Sequence, residues 1–439
     1  MSSAELSPAG LSGLTARQIA ERVRARSLSP FALVEACLDR IRDLDPQLEA
    51  WVYLDEARAR EEAAAREAEA RAGQFRGALH GVPVGVKDII HVAGMPTRAG
   101  ARAWAHTIPA EDAACVRWLK EAGAIVLGKT HTTQFAYRDP APTRNPWNRA
   151  HTPGGSSSGS AAAVAARMVP LALGTQTVGS VLRPAAYCGI VGYKGAHGVI
   201  STDGVLPLAW SLDHVGILAR TVDDVRLALE ALPHQAPLEI RRPGRFVLAV
   251  ELVDRAEPEV ARRVRAAAQA LAQAGAVVEE LKLPPSFAEI HEAGQTIMEA
   301  EAAAYHEPFF RRHADEYGAG LKSLVEAGLG RPATLYVRAR RARERFREDM
   351  GRLLGGWDAL LSPTAPAPAP PGLAWTGDAS LCGPWSTAGF PAITLPTGLD
   401  GTGLPHALQL VSTPERASVL LHFAAWAEGV LGFTAAPAL

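Results

Sequence analysis

Cysteine is scarce in this chain: its 439 residues hold four, Cys37, Cys115, Cys188 and Cys382, and no two form a CxxC pair. That spacing offers neither a zinc site nor a disulfide framework, and it fits a reducing compartment. An excess of one charge is also missing, since 45 basic residues stand against 46 acidic ones. Such a balance gives no pull toward nucleic acid or an anionic membrane. No apolar run is long enough to cross a bilayer; the alanine-rich stretch 161–173 is cut by Arg167 and Pro170. The opening MSSAELSPAG has no signal-peptide pattern. Thirteen histidines form no HExxH or other ligand set, so no metal is expected. These absences predict a soluble cytoplasmic protein that works without metal, cofactor, nucleic acid or membrane.

What is present reads as a globular enzyme-sized chain, 48% hydrophobic and 21% charged. Residues 15–45 read as helices: Ser29-Pro30 is a cap and first-turn pair, and Val34, Cys37, Leu38 and Ile41 follow at helical spacing. Residues 54–72 alternate Glu, Arg and Ala and read as a solvated helix laced with ion pairs. Strand-like runs at 82–86, 124–127 and 169–173 alternate with helical runs such as 112–122, which predicts layered α/β architecture. From TVDD at 221–224 to about 350 the pattern turns helix-rich, with one strand pair at 245–250 and 276–281. Prolines between 363 and 371 require an extended loop, and strands return at 392–395 and 407–410.

Three motifs compete. GAIVLGKT, 123–130, satisfies the P-loop pattern, but its variable positions Ala-Ile-Val-Leu favour a strand rather than a phosphate-cradling turn, and HTTQFAYRDP offers no following helix. It reads as a buried strand leaving the sheet. GSSSG, 155–159, fits a nucleophile elbow centred on Ser157, yet turn-forming TRNPWNRAHTPG stands where the strand should be. The third is a composite: Lys87 alone in the apolar run VPVGVKDII, the cluster GGSSSGS at 154–160, and GTQTVGSVLRPAAYCG from 174. Small residues let backbone approach a substrate closely. A serine there becomes a nucleophile beside a base, and a lysine among apolar residues loses its proton more easily.

This composite resembles the amidase signature family, which hydrolyses or transfers across amide C–N bonds. The resemblance covers nearly the whole chain: HGVPVGVKD (80–88), GMPTRAG (94–100), AGAIVLGKT (122–130), PGGSSSGSAAAVAA (153–166), GTQTVGSVLRPAAYCGIVGYK (174–194), SLDHVGILARTVDD (211–224), LLSPTAPAP (360–368) and AGFPAITLPTG (388–398). It implies an α/β/α sandwich around a large mixed β-sheet. The expected division of the single domain is an N-terminal helical segment 1–75, a core of 76–225 and 355–439, and a helix-rich lobe 226–354. The lobe and the 363–371 loop are expected to line the substrate funnel.

By position, the resemblance implies Ser180 as nucleophile, Ser156 on a cis peptide as bridging serine, and Lys87 as terminal base. The backbone N–H groups of Thr177, Val178, Gly179 and Ser180 become the oxyanion hole, with Gly155 beside the bridging serine at the substrate. The nucleophile loop departs from the common GTDTGGSIRxPA: Gln176 replaces Asp, Val178 replaces Gly, and arginine falls at Arg183 after Leu182. It is similar to a malonamidase-like subgroup, in which the arginine three residues past the nucleophile holds a substrate carboxylate. Two roles are therefore open to Arg183, substrate binding and loop anchoring, with anchoring preferred; Gln176 joins the candidate substrate contacts. Gln134 and Ser386 depart from an acid and an Asn common elsewhere. The implied activity is hydrolysis of a small-molecule amide by an acyl-enzyme, with water as second substrate. Esters and carbamates, as in urethanase or aryl acylamidase chemistry, follow the same tetrahedral course. The alternatives are a catalytic component of a glutamine-dependent amidotransferase and a non-catalytic binding protein; a homodimer is the expected assembly.

Overall fold

Eleven strands join into one mixed sheet in the computed structural model, which describes residues 8–104, 106–232 and 243–439. Residues 1–7 of the opening read above for a targeting pattern, and 233–242 of the expected lobe, lie outside the described residues. The strands are β1 Trp51–Leu54, β2 Pro83–Lys87, β3 Ile125–Thr130, β4 Leu171–Gln176, β5 Val191–Lys194, β6 His214–Ala219, β7 Arg245–Ala249, β8 Val277–Leu281, β9 Ala359–Pro363, β10 Ala392–Leu399 and β11 Pro405–Val411. Their spatial order is β1-β3-β2-β4-β6-β5-β10-β11-β9-β7-β8. β3, β2 and β4 run parallel, as do β9, β7 and β8, while the strands between are antiparallel. The α/β class with a large mixed sheet is as the sequence implied.

Local chemistry explains the elements. β2, β3, β4 and β6 are buried along their whole length, as strands covered on both faces must be. The P-loop look-alike is indeed strand β3. Helix Pro30–Leu48 begins where Ser29 Oγ accepts the Ala32 amide at 3.1 Å. Helix Glu56–Arg71 carries the expected ion pairs, Arg58 with Glu62 and Arg60 with Glu56 at 3.0 and 2.9 Å. It is not wholly solvated, however, because Ala59, Ala63, Arg66 and Ala70 are buried.

One strand falls where helices alone were expected. β1, within 1–75, pairs antiparallel with β3. β1 is only four residues long, a length at which periodicity separates strand from helix poorly. Within 226–354 the expected strand pair at 245–250 and 276–281 forms as β7 and β8, which run parallel and close the far edge of the same sheet.

The functional edge follows from register. β2 and β4 are neighbours and parallel, with Val84 opposite Leu171 and Val86 opposite Leu173. Their C-terminal ends therefore emerge together, the position at which α/β sheets present ligands. Lys87 is the last residue of β2, and Gln176 the last of β4.

Candidate active site

At that shared edge Lys87 Nζ lies 2.7 Å from Ser156 Oγ and 2.7 Å from Thr175 Oγ1, with Thr175 O at 3.4 Å. Lys87 is completely buried, and among the described residues no carboxylate forms an ion pair with it. Burial pushes its pKa well below the ordinary lysine value, and the negative charge of Asp213 opposes this only in part. A neutral amine has two N–H donors and one lone pair. Thr175 offers two acceptors, which leaves the lone pair for the Ser156 hydroxyl. Ser156 follows a cis Gly155–Ser156 peptide and precedes helix Ser158–Ala165, which packs against β2 and β4.

The loop after β4 is tied at three points. Gln176 Oε1 accepts the amides of Val181 and Leu182 at 2.8 and 2.9 Å. Gln176 Nε2 donates to Ser386 Oγ at 2.9 Å, and Ser386 in turn donates to Val178 O at 2.7 Å. Thr177 Oγ1 donates to Asp213 Oδ1 at 2.5 Å, while Asp213 Oδ2 accepts the amides of Leu208 and Ala209. Among the described residues, none accepts a hydrogen bond from the backbone N–H of Val178, Gly179 or Ser180. A Cβ on Gly179 would sit 2.8 Å from Ala379 Cβ, so only glycine lets the two segments approach this closely.

Thr177 to Ser180 form one wall of a cavity of about 450 Å³. Helix Phe287–His313 contributes His291 and Met298 to it, and the segment after the proline loop contributes Trp375 to Ser380. Ser180 is 8% exposed and lines this space, whereas the buried Lys87 and Ser156 do not; the Ser157 amide, next to Ser156, donates to Ser180 O at 3.3 Å.

Comparison with known proteins fits this geometry. The family model described as Amidase matches residues 32–421. The chain belongs to the amidase family. It is 38% identical to an amidase of Pseudomonas putida, over 90% of this chain and 92% of that one. It is 32% identical to a glutamyl-tRNA(Gln) amidotransferase subunit of Carboxydothermus hydrogenoformans, over 94% and 96% of the two chains. A crystal structure of an amidase superposes with a TM-score of 0.88 at 34% identity, covering 95% of this chain and 99% of that one.

Within this amidase-family fold, two candidate substrate contacts, Gln176 and Gly155, do not line the cavity, while Arg183 does so in the anchoring role preferred for it. Gln176 is fully buried and its amide atoms hold the loop, so it does not reach the cavity. Gly155 does not line the cavity, and its carbonyl accepts Arg183 Nη2 at 2.7 Å. Arg183 borders the cavity but anchors loops: Nη1 donates to Gly377 O, and Nη2 also donates to Thr376 Oγ1 at 3.1 Å. The lobe helix lines the cavity as expected, but prolines 363–371 do not; the segment just beyond them does. Sequence reasoning missed Thr175 and Asp213, although both fall inside quoted motifs. It had no signal for His291 or Met298, which reach the cavity from a distant helix. Among the described residues, no group of His, Cys, Asp or Glu side chains converges as a metal site, and no helix is long and apolar enough to cross a membrane.

Two outcomes follow for the loop. Gln176→Leu removes the acceptor of two buried amides, and should cost roughly 2–4 kcal/mol in urea denaturation; an unchanged midpoint would show that those amides find other acceptors. Burial raises the Asp213 carboxyl to about 6 from its ordinary 3.8. The folded state thus holds this proton more tightly than the unfolded chain. As pH rises from 4 to 6 this group should lower stability, by about 3 kcal/mol in all. The stability difference between wild type and Asp213→Asn, followed across that range, should show this slope; a pH-independent difference would remove Asp213 as its source.

Proposed function

We propose that this protein hydrolyses the C–N bond of small-molecule amides through an acyl-enzyme on Ser180. The observation that carries the reading is the fully buried Lys87, hydrogen-bonded to Ser156 and without an ion pair among the described residues, next to a loop in which the Ser157 amide donates to Ser180 O at 3.3 Å. In the first step Ser180 gives its proton to Ser156, whose own proton passes to neutral Lys87. Ser180 Oγ forms a bond to the carbonyl carbon, and the oxyanion lies among the free amides of the 177–180 loop. On collapse the C–N bond breaks and the leaving nitrogen receives the proton through Ser156. Water then loses a proton along the same route and its oxygen attacks the acyl ester. Ser180 recovers its hydrogen and the carboxylic acid departs. No cofactor enters this sequence. Esters and carbamates are expected to react by the same steps.

Hydroxylamine partitioning tests it. Amides that share an acyl group but differ in amine should give one hydroxamate-to-acid ratio, because all pass through the same acyl-enzyme. A ratio that varies with the amine would instead indicate direct attack by water. The similarity to a glutamyl-tRNA(Gln) amidotransferase component supports a second reading, a glutamine-dependent partner complex. In that case the isolated chain would release ammonia only from glutamine, and would require an acceptor.

A further inference from the structure

A second loop that lines the cavity shared with Ser180 is anchored on both sides of one charged side chain. Phe135 and Ala136 adopt left-handed backbone, with φ of 45° and 60°, a conformation that persists in non-glycine residues only where surroundings impose it. Phe135 is clamped edge-on by Trp104 and His306, at centroid distances of 5.4 and 4.8 Å. On one side Gln134 donates to Glu316 O at 3.0 Å and accepts from Gly318 N at 2.6 Å. On the other, Asp139 accepts the amides of Gly320 and Leu321 at 2.9 and 2.8 Å. Between these anchors Ala136, Tyr137 and Arg138 line the cavity.

Arg138 has no fixed partner. Its guanidinium rests over the Tyr137 ring at 5.5 Å, and among the described residues no carboxylate forms an ion pair with it. The adjacent Asp139 is committed to backbone amides. Three charged side chains line the cavity: Arg138, Arg183 and Asp378. Arg183 is held by backbone and Thr376, and Asp378 Oδ1 accepts the Ser380 amide at 2.6 Å. The balance is one positive charge, and of the two cations only Arg138 is both unpaired and solvent-accessible. A planar fork of donors in that state matches a carboxylate.

Building on the amidase reading, we propose that Arg138 forms a carboxylate subsite, so that the preferred substrates are amides bearing a free carboxylate remote from the scissile bond. The reacting carbonyl meets Ser180 while the carboxylate meets the Arg138 guanidinium.

The test compares succinamate, glutaramate and adipamate with the corresponding diamides, which replace the carboxylate by an isosteric neutral group. Wild type should favour the best monoamide over its diamide in kcat/KM by about 10- to 100-fold, the range of a charge-assisted hydrogen bond. The ratio should shrink with added salt, because Arg138 is exposed. Arg138→Gln should bring the ratio to about one through KM, and Arg138→Lys should restore part of it. Calorimetry with succinate, glutarate and adipate gives a readout that needs no turnover: one dicarboxylate should bind wild type and lose at least about tenfold in affinity with Arg138→Gln. Binding that depends on Arg138 without amide turnover would uphold the subsite and overturn the amidase reading. Equal kcat/KM for both series in wild type, or a ratio and an affinity unmoved by Arg138→Gln, would overturn the subsite.

Discussion

Lys87→Met lowers kcat for amide hydrolysis by about 10³- to 10⁴-fold, the loss expected when a positioned general base is removed. The same substitution should lower the thermal midpoint only slightly, because relief from burying an amine offsets the lost hydrogen bonds to Ser156 and Thr175. Loss of activity would then not be loss of fold. The pH profile gives the sharper check. Burial lowers the Lys87 ionisation, so the neutral, proton-accepting form prevails above a pKa well under that of an exposed lysine. Wild-type kcat/KM should rise with pH below that ionisation and reach a plateau before about pH 10, the ordinary lysine range. In Lys87→Met the rising limb should vanish. A limb that survives the substitution would assign the ionisation to another group.

Ser180→Ala removes the bond-forming oxygen itself and should lower kcat by about 10⁵-fold or more, with little change in KM. Ser180 sits at the cavity surface, so its denaturation midpoint should be nearly that of wild type. Residual turnover within about tenfold of wild type would be incompatible with an acyl-enzyme on this residue. Ser156→Ala should lose less than either variant, because water in the vacated space restores part of the relay.

Much of the candidate site was legible because its residues lie in long motifs with fixed internal spacing. Lys87, Ser156 and Ser180 occupy separate motifs; laying β2 beside β4 sets Lys87 against Ser156 and places the loop that bears Ser180 at the same edge. The central strands were legible as continuous apolar runs. β1, β5, β6 and β9 were harder, being four to six residues long and flanked by glycine, proline or helix-like composition. Gln176 shows why a motif residue can be misassigned. Its position next to the nucleophile loop suggested substrate contact, but its amide satisfies two backbone donors and a serine inside the protein. Arg138 shows the converse. Nothing in its local sequence distinguishes it from a surface arginine; only the anchored loop places it over Ser180's cavity. The candidate catalytic residues are thus written locally, whereas the cavity lining comes from segments far apart in the chain, whose meeting depends on the whole fold.

The central claim is that Ser180 is an activated nucleophile. The most direct measurement is intact-protein mass after brief exposure to a serine-reactive fluorophosphonate, for wild type and Ser180→Ala side by side. The account predicts a single adduct on wild type and none on the variant. An adduct that persists on Ser180→Ala, or no adduct on folded wild type that also fails to react with small acyl donors, would contradict it.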